Sequence, residues 1–327
     1  MNARPLPVSC LAALSIWAAA CSSSYAQRPV ALTGSAPTSD AAPAVVTTVT
    51  PGAPNTEPIE LLWRLGPFNP ADGIGLDPQG NLYAMDSDNH RIEKFDRDGN
   101  FLSQWGSAGL GEGQWACVGI CMLAVDDGGI VYITDVNSAR IQKFDSNGKF
   151  LAQWGTYGSG DGQLNNPFGI AVDHDGNVYV GDVGNFRIQK FDKNGRFLLK
   201  WGSSGTGEGK FTDDLSDMVV DRQGNVYVGD RKNGVQRFDA NGKFVQRLAA
   251  CGDEPVGYAA AGVTIDTQGA LYVSDIQGSR ICKYDADGKF LTYWNVPPGI
   301  GGIAIDHDGN LYGAERYAGY VLKFRLR

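Results

Sequence analysis

Short apolar runs broken by turn residues recur from about residue 59 onward. Residues 166–202, NPFGIAVDHDGNVYVGDVGNFRIQKFDKNGRFLLKWG, show the pattern most fully. Four strands are predicted there, at 168–172, 178–181, 187–191 and 197–201. They are separated by Asp173-His174-Asp175-Gly176, by Gly184-Asn185 and by Lys193-Asn194-Gly195. Turn signals at this spacing between β-branched and aromatic runs indicate an all-β chain. Four strands joined by tight turns form one antiparallel sheet, which is too small to be stable alone and must stack on similar sheets.

Such sheets follow one another along the chain. An aromatic residue ends the third strand at Phe95, Phe144, Phe191, Phe238, Tyr284 and Phe324, at steps of 49, 47, 47, 46 and 40 residues by subtraction. An acidic residue ends the second strand at Asp86, Asp135, Asp182, Asp230, Asp275 and Glu315. Six copies at this period predict a radial array of four-stranded antiparallel blades, a six-bladed β-propeller. The last copy stops after three strands, and Leu61-Leu62-Trp63-Arg64-Leu65-Gly66 reads as the missing fourth. Pairing of the N- and C-terminal strands is therefore expected to close the ring and remove two open sheet edges.

The remaining N-terminal residues divide in two. An apolar run at 8–20 follows Arg4 and is too short to span a bilayer as a mature helix, so it reads as an export signal. Two processing readings stand side by side. A signal peptide over 1–26 would be cut after Ser24-Tyr25-Ala26. Alternatively a lipoprotein leader over 1–20 would leave a lipid anchor at Cys21. Residues 27–57, rich in Ala, Pro, Thr and Ser, read as a disordered linker, and 58–327 as the propeller. Export to the periplasm, cell surface or medium is expected, with no contact to a membrane other than that anchor. The net charge of −8 argues against nucleic acid as a partner. The propeller is expected to be a monomer.

Within the repeat, Gly-Ile-Ala-Val-Asp, Gly-Asn-Val-Tyr-Val, Asp-x-x-Asn-x-Arg-Ile-x-Lys-Phe-Asp and Gly-x-Phe over 169–197 resemble the NHL repeat, and Asn89-His90 carries the Asn-His pair. The resemblance spans about 59–327 and implies a six-bladed propeller. Some propellers of this kind are peptidyl-amidoglycolate lyases with a histidine zinc site. Here His174 and His307 fall in first-to-second turns of opposite blades and His90 on the other face, so no zinc set carries over.

Features shared by most blades read as architecture. The glycine-rich pieces at 106–114, 155–163 and 202–210 precede no helix, so they are connectors and not phosphate loops. Trp105, Trp154, Trp201, Leu248 and Trp294, with Leu65, are expected to pack between blades. The acidic row and Arg91, Arg140, Arg187 and Arg280 are expected to pair within each blade. Four cysteines in an exported fold imply disulfides, expected as Cys117–Cys121 and Cys251–Cys282.

Irregular features are the functional candidates. Asp72 and Asp217 enter the first strands of opposite blades, where a calcium ion at the channel mouth is weighed against a solvated acidic rim. Arg231, Lys232, Arg316 and Tyr317 lie where the second-to-third turns of blades four and six depart from pattern, and mark a candidate recognition face. The leading expectation is a non-enzymatic scaffold binding a protein, peptide or glycan. The alternative is a calcium- or zinc-dependent hydrolase or lyase working at the channel, and a purely structural envelope component is the third reading.

Overall fold

A computed structural model describes residues 59–117, 121–248, 251 and 260–326. The expected leader, linker and anchor at Cys21 lie outside these residues. Six four-stranded antiparallel sheets account for nearly all the regular structure. Besides the strands there are two single 3-10 turns, Val136–Ser138 and Val183–Asn185. No helix among the described residues is long and apolar enough to cross a membrane.

Blade three consists of Pro167–Val172, Val178–Asp182, Arg187–Phe191 and Phe197–Trp201. The sequence-predicted strands gain one residue at each of two ends. Pro167 pairs with Asp182, so the acidic residue belongs to the ladder itself and does not merely follow it. The second strand is buried throughout, whereas the fourth alternates half-buried and exposed residues, as the edge of a blade must. The first strands of neighbouring blades adjoin round the ring, so they form the innermost layer. Each of five first strands shifts register once; in blade three the irregularity lies between Pro167 and Ile170.

Blade six has the strand order Ile59–Leu65, Tyr320–Leu326, Asn310–Glu315, Ile300–Ile305. Leu61 pairs with Phe324 and Leu65 with Val321, closing the ring as expected.

The Trp row packs between blades. Trp154 lies 6.3 Å from Tyr179's counterpart in its own blade, Tyr132, and 6.1 Å from Phe191 of the next blade. Gly195 approaches the same indole so closely that a Cβ there would come within 2.6 Å of it. Its φ of +82° serves the turn as well, which only glycine adopts without strain. Because Trp154 is half-buried, Trp154→Ala is expected to cost about 3 kcal/mol, the low end for such truncations. Urea unfolding would read it, and a change below about 0.5 kcal/mol would contradict the packing role.

The central strands of each blade carry a feature that strand-by-strand reading overlooked. In all six blades a second-strand tyrosine donates to the aspartate opening the first turn: Tyr179 Oη to Asp173 Oδ2 at 3.0 Å, and likewise Tyr83, Tyr132, Tyr227, Tyr272 and Tyr312. A third-strand cation covers each ring: Lys94, Lys143, Lys190, Arg237, Lys283 and Lys323. Burial, then the adjacent aspartate, pushes these phenols above their ordinary range, Tyr227 to about 12. Four of the cations also reach the following blade. Lys94 Nζ donates to Ser146 O at 3.1 Å, Lys143 Nζ to Lys193 O at 2.9 Å, Arg237 Nη1 to Ala286 O at 3.3 Å, and Lys323 Nζ to Arg97 O at 3.0 Å. Each such bond stitches one sheet to the next.

Both expected disulfides are present, with Cα atoms 6.0 Å apart for Cys117–Cys121 and 5.9 Å for Cys251–Cys282. Cys282 is the middle residue of Arg280–Tyr284, and does not begin that strand. Two buried disulfides suit an oxidising, extracytoplasmic environment.

Candidate functional site

The antiparallel order puts connectors and second-to-third turns on one face, and first-to-second and third-to-fourth turns on the other. The two faces differ in chemistry. On the second, turns open on aspartate: Asp173 Oδ1, for instance, accepts from Asp175 N at 3.1 Å and Asn177 N at 2.8 Å. These carboxylates are consumed by their own turns.

On the connector face the buried aspartates hold the loops in place. Asp182 accepts from Asn165 N at 2.7 Å, Asn185 Nδ2 at 2.9 Å, Arg187 Nε at 2.7 Å and Gln189 Nε2 at 3.0 Å. Arg187 then reaches back to the connector, donating to Ser159 O, Gly160 O and Gln163 O at 2.8–2.9 Å. Gln189 Oε1 accepts from Gly162 N at 3.0 Å. Blade two repeats this with Asp135, Arg140 and Gln142. In blade four the arginine is missing. Thr212 instead bonds Asp230, and Asn233 holds Lys210 O at 3.0 Å. The expected pairing of the acidic and arginine rows is thus present, and it clamps the glycine-rich connectors.

Residues 164–191, which cover three strands of blade three and the end of the loop entering it, match the family model described as the NHL repeat. The chain is a six-bladed β-propeller with an NHL-repeat match in blade three. Among solved structures it is similar in fold to a gluconolactonase from Xanthomonas campestris, at 17% identity over 86% of this chain and 99% of that one, with a TM-score of 0.61. It is likewise similar to a virginiamycin B lyase from Staphylococcus aureus, at 14% identity over 83% and 100%, with a TM-score of 0.58. A third is a streptogramin B lyase, at 16% identity over 80% and 95%, with a TM-score of 0.57. At these identities the likeness concerns the fold alone. The comparison with curated proteins returned no match.

In this propeller the sequence-predicted site residues fall in three places. Arg231 and Lys232 lie on the connector face, as expected, but they are paired. Lys232 Nζ stands 2.6 Å from Asp213 Oδ1 and Arg231 Nη1 3.5 Å from Asp214 Oδ1. The bond to Lys232 holds the Asp213 carboxyl below its ordinary range. The partners come from the preceding connector, so this corner of the face is nearly neutral and not a cationic patch. Arg316 and Tyr317 lie in the corresponding turn of blade six. Arg316 N donates to Gly299 O at 3.0 Å, while the Tyr317 side chain stands 70% exposed.

Asp217 is half-buried. It occupies the register irregularity of the first strand of blade four, Leu215–Val220. There it accepts from Met218 N at 2.8 Å and, at 3.5 Å, from Val263 N of blade five. The carboxylate is therefore wedged into the seam between two innermost strands. Burial pushes its carboxyl up to about 7 against those two amides. Asp72 lies in the first strand of blade one, Ala71–Leu76, and its side chain is outside the described residues. Among the described residues no three His, Cys, Asp or Glu side chains converge as metal ligands would. His174 faces Asp127 at 2.6 Å and His307 is 3.9 Å from Asp308, both on the aspartate-turn face, and His90 is on the connector face.

The state of Asp217 sets a pH dependence. The folded chain retains a proton up to about pH 7 that the unfolded carboxyl, at 3.8, releases near pH 4. The folded state binds more protons in that window, so this group's contribution to stability is complete below about pH 4 and is lost as pH rises to about 7. Asp217→Asn is expected to abolish the decline and to be more stable than the parent at pH 8 by a few kcal/mol, roughly 2–4. Urea titrations at pH 4.5 and 8 would show it; parallel stability curves for the two proteins would contradict it.

Proposed function

We propose that this protein is an exported binding module whose connector face recognises a protein or peptide. One observation carries the reading. The three most exposed large apolar side chains among the described residues, Tyr157 at 75%, Leu110 at 71% and Tyr317 at 70%, all stand on that face. Leu110 and Tyr157 are mounted on loops whose backbones are clamped from below by buried arginine and aspartate, and Tyr317 on a turn held by Ala318 N donating to Glu315 Oε1 at 2.9 Å. Apolar and aromatic groups on a rigid support lose little entropy on engagement, which favours recognition. The disulfides support display outside the cytoplasm.

The experiment is selection from a displayed random-peptide library on the immobilised parent, followed by calorimetry. Peptides so obtained are expected to lose at least tenfold in affinity for a Leu110→Ser, Tyr157→Ser, Tyr317→Ser variant that melts with the parent. Undiminished binding would place recognition elsewhere.

A second reading rests on Asp217. A carboxyl in the innermost layer, poised near neutrality, has the pKa of a general acid or base. A hydrolase or lyase working at the channel, with or without a cation, would lose activity on Asp217→Asn while folding is retained. Calcium calorimetry on the parent and this variant would address the cation directly.

A further inference from the structure

The connector into blade one departs from those into blades two, three and four. The segment between Leu65 and Ala71 lacks the nine-residue glycine loop found at 106–114, 155–163 and 202–210. In blades two and three that loop occupies a notch beside the third strand and presents main-chain carbonyls to an arginine. Arg140 donates to Leu110 O, Gly111 O and Gln114 O, and Arg187 to the equivalent three. Loop amides meet a glutamine below, as in Gly113 N to Gln142 Oε1 and Gly162 N to Gln189 Oε1, both at 3.0 Å.

Blade one keeps the receptor side of this arrangement without the loop. Arg91 holds Asp86 through Nε and Nη2 at 2.9 Å, as its counterparts hold theirs. Its Nη2 also lies 2.7 Å from Glu93 Oε1, and Nη1 has no partner among the described residues. The Arg91 side chain is 33% exposed where those of Arg140 and Arg187 are 10% and 9%. Glu93 stands where Gln142 and Gln189 stand, pairing with Gln104 as Gln142 pairs with Gln153. It is 1% exposed and its Oε2 has no hydrogen-bond partner, while Ser87 Oγ and His90 Nδ1 nearby are buried without one either. Burial raises the Glu93 carboxyl above its ordinary range, with Arg91 opposing. Buried polar groups left in this state are unusual and cost stability unless something supplies their partners.

We propose that the notch at Arg91 and Glu93 is a binding site for a glycine-containing peptide segment of a partner, which takes the place of the absent loop. Its main-chain carbonyls accept from Arg91 Nη1 and one main-chain amide donates to Glu93 once the Arg91 guanidinium swings outward. The ligand class is read from this chain's own loops, which are the natural occupants of the same receptor in blades two and three. The site lies on the face proposed above and names a chemistry for it. It rests on different residues from the apolar trio, so the two can fail separately.

The probe is a synthetic peptide of residues 158–164, GSGDGQL, capped at both ends. It is titrated into 15N-labelled protein to millimolar concentration. Shifts are expected at Ser87, His90 and Arg91 and in the Arg91 Nε–H signal. Arg91→Lys, which keeps the charge but loses the planar fork, is expected to weaken binding at least tenfold. Glu93→Gln, which restores the residue of blades two to four, is expected to bind as well or better, and it guards against a folding defect in the first variant. Because Gly158 and Gly162 carry φ of +154° and +78°, a peptide with valine at both places is expected not to bind. Absence of shifts at blade one, equal binding by Arg91→Lys, or equal binding of the valine peptide would each overturn the proposal. If the notch stays silent while selected peptides still depend on Leu110, Tyr157 and Tyr317, only the notch is lost.

Discussion

A chain lacking residues 60–66 is expected to lose more than 5 kcal/mol, on the order of the entire stability of an ordinary domain. The strand removed pairs with Tyr320–Leu326 from Ile59↔Leu326 to Leu65↔Val321. It also brings Trp63, 5.6 Å from Tyr312 and lying under Lys323, and Leu65, which is buried with Phe68 and Phe95 of blade one. Its loss leaves Val321 and Phe324 exposed on an unpaired edge, the arrangement that recruits other chains. The deletion should therefore show a broad, early melting transition and association in light scattering. A cooperative melt within about 5 °C of the parent would mean that the ring does not depend on this strand.

The second large effect belongs to Asp182. Replacing it with alanine removes the acceptor for Asn165 N, Asn185, Arg187 and Gln189 together. Arg187 is left as a buried cation without its counter-charge, and breaking a buried pair from one side costs about 3–5 kcal/mol. The double variant Asp182→Ala, Arg187→Leu should recover part of that loss, since no charge then remains unpaired. Chemical denaturation of the three proteins would test both statements. A loss below 1 kcal/mol for Asp182→Ala would show that the clamp carries little of the fold.

The residues that made the architecture readable are those the repeat brings back in each blade. Asp86 to Glu315 and Arg91 to Arg280 lie five residues apart on a single turn, so their pairing is local and the spacing alone exposes it. The two disulfides were legible because few cysteines had to be placed on few turns. The Tyr179–Asp173–Lys190 arrangement is just as periodic, yet two strands and a turn contribute to it, and only cross-strand register brings the lysine over the ring. The columns of tyrosines and cations carry that signal in the sequence. Lys232 and Asp213 are 19 residues apart and meet only because a connector folds back on a turn, so the charge of that corner could not be read from Lys232 alone. The surroundings of Asp217 were hidden for a related reason. A first-strand residue reads as lining an open channel, but a register irregularity turned the carboxylate into the seam with blade five. Glu93 attracted no notice, because a lone glutamate in a strand is unremarkable until its counterparts are seen to be glutamines capped by a loop.

The pairing of Ile59 with Leu326 also sets an order of events. A ribosome releases these two residues at opposite ends of the folding region, so the outer strand of the sixth sheet has no neighbour to pair with until the other five sheets have been made. During that interval the nascent protein is a crescent with a raw margin at each horn, one of them carrying Trp63 and Leu65 without a neighbour. Whatever escorts the chain must shield those margins until Tyr320–Leu326 emerges, and only then does the crescent shut.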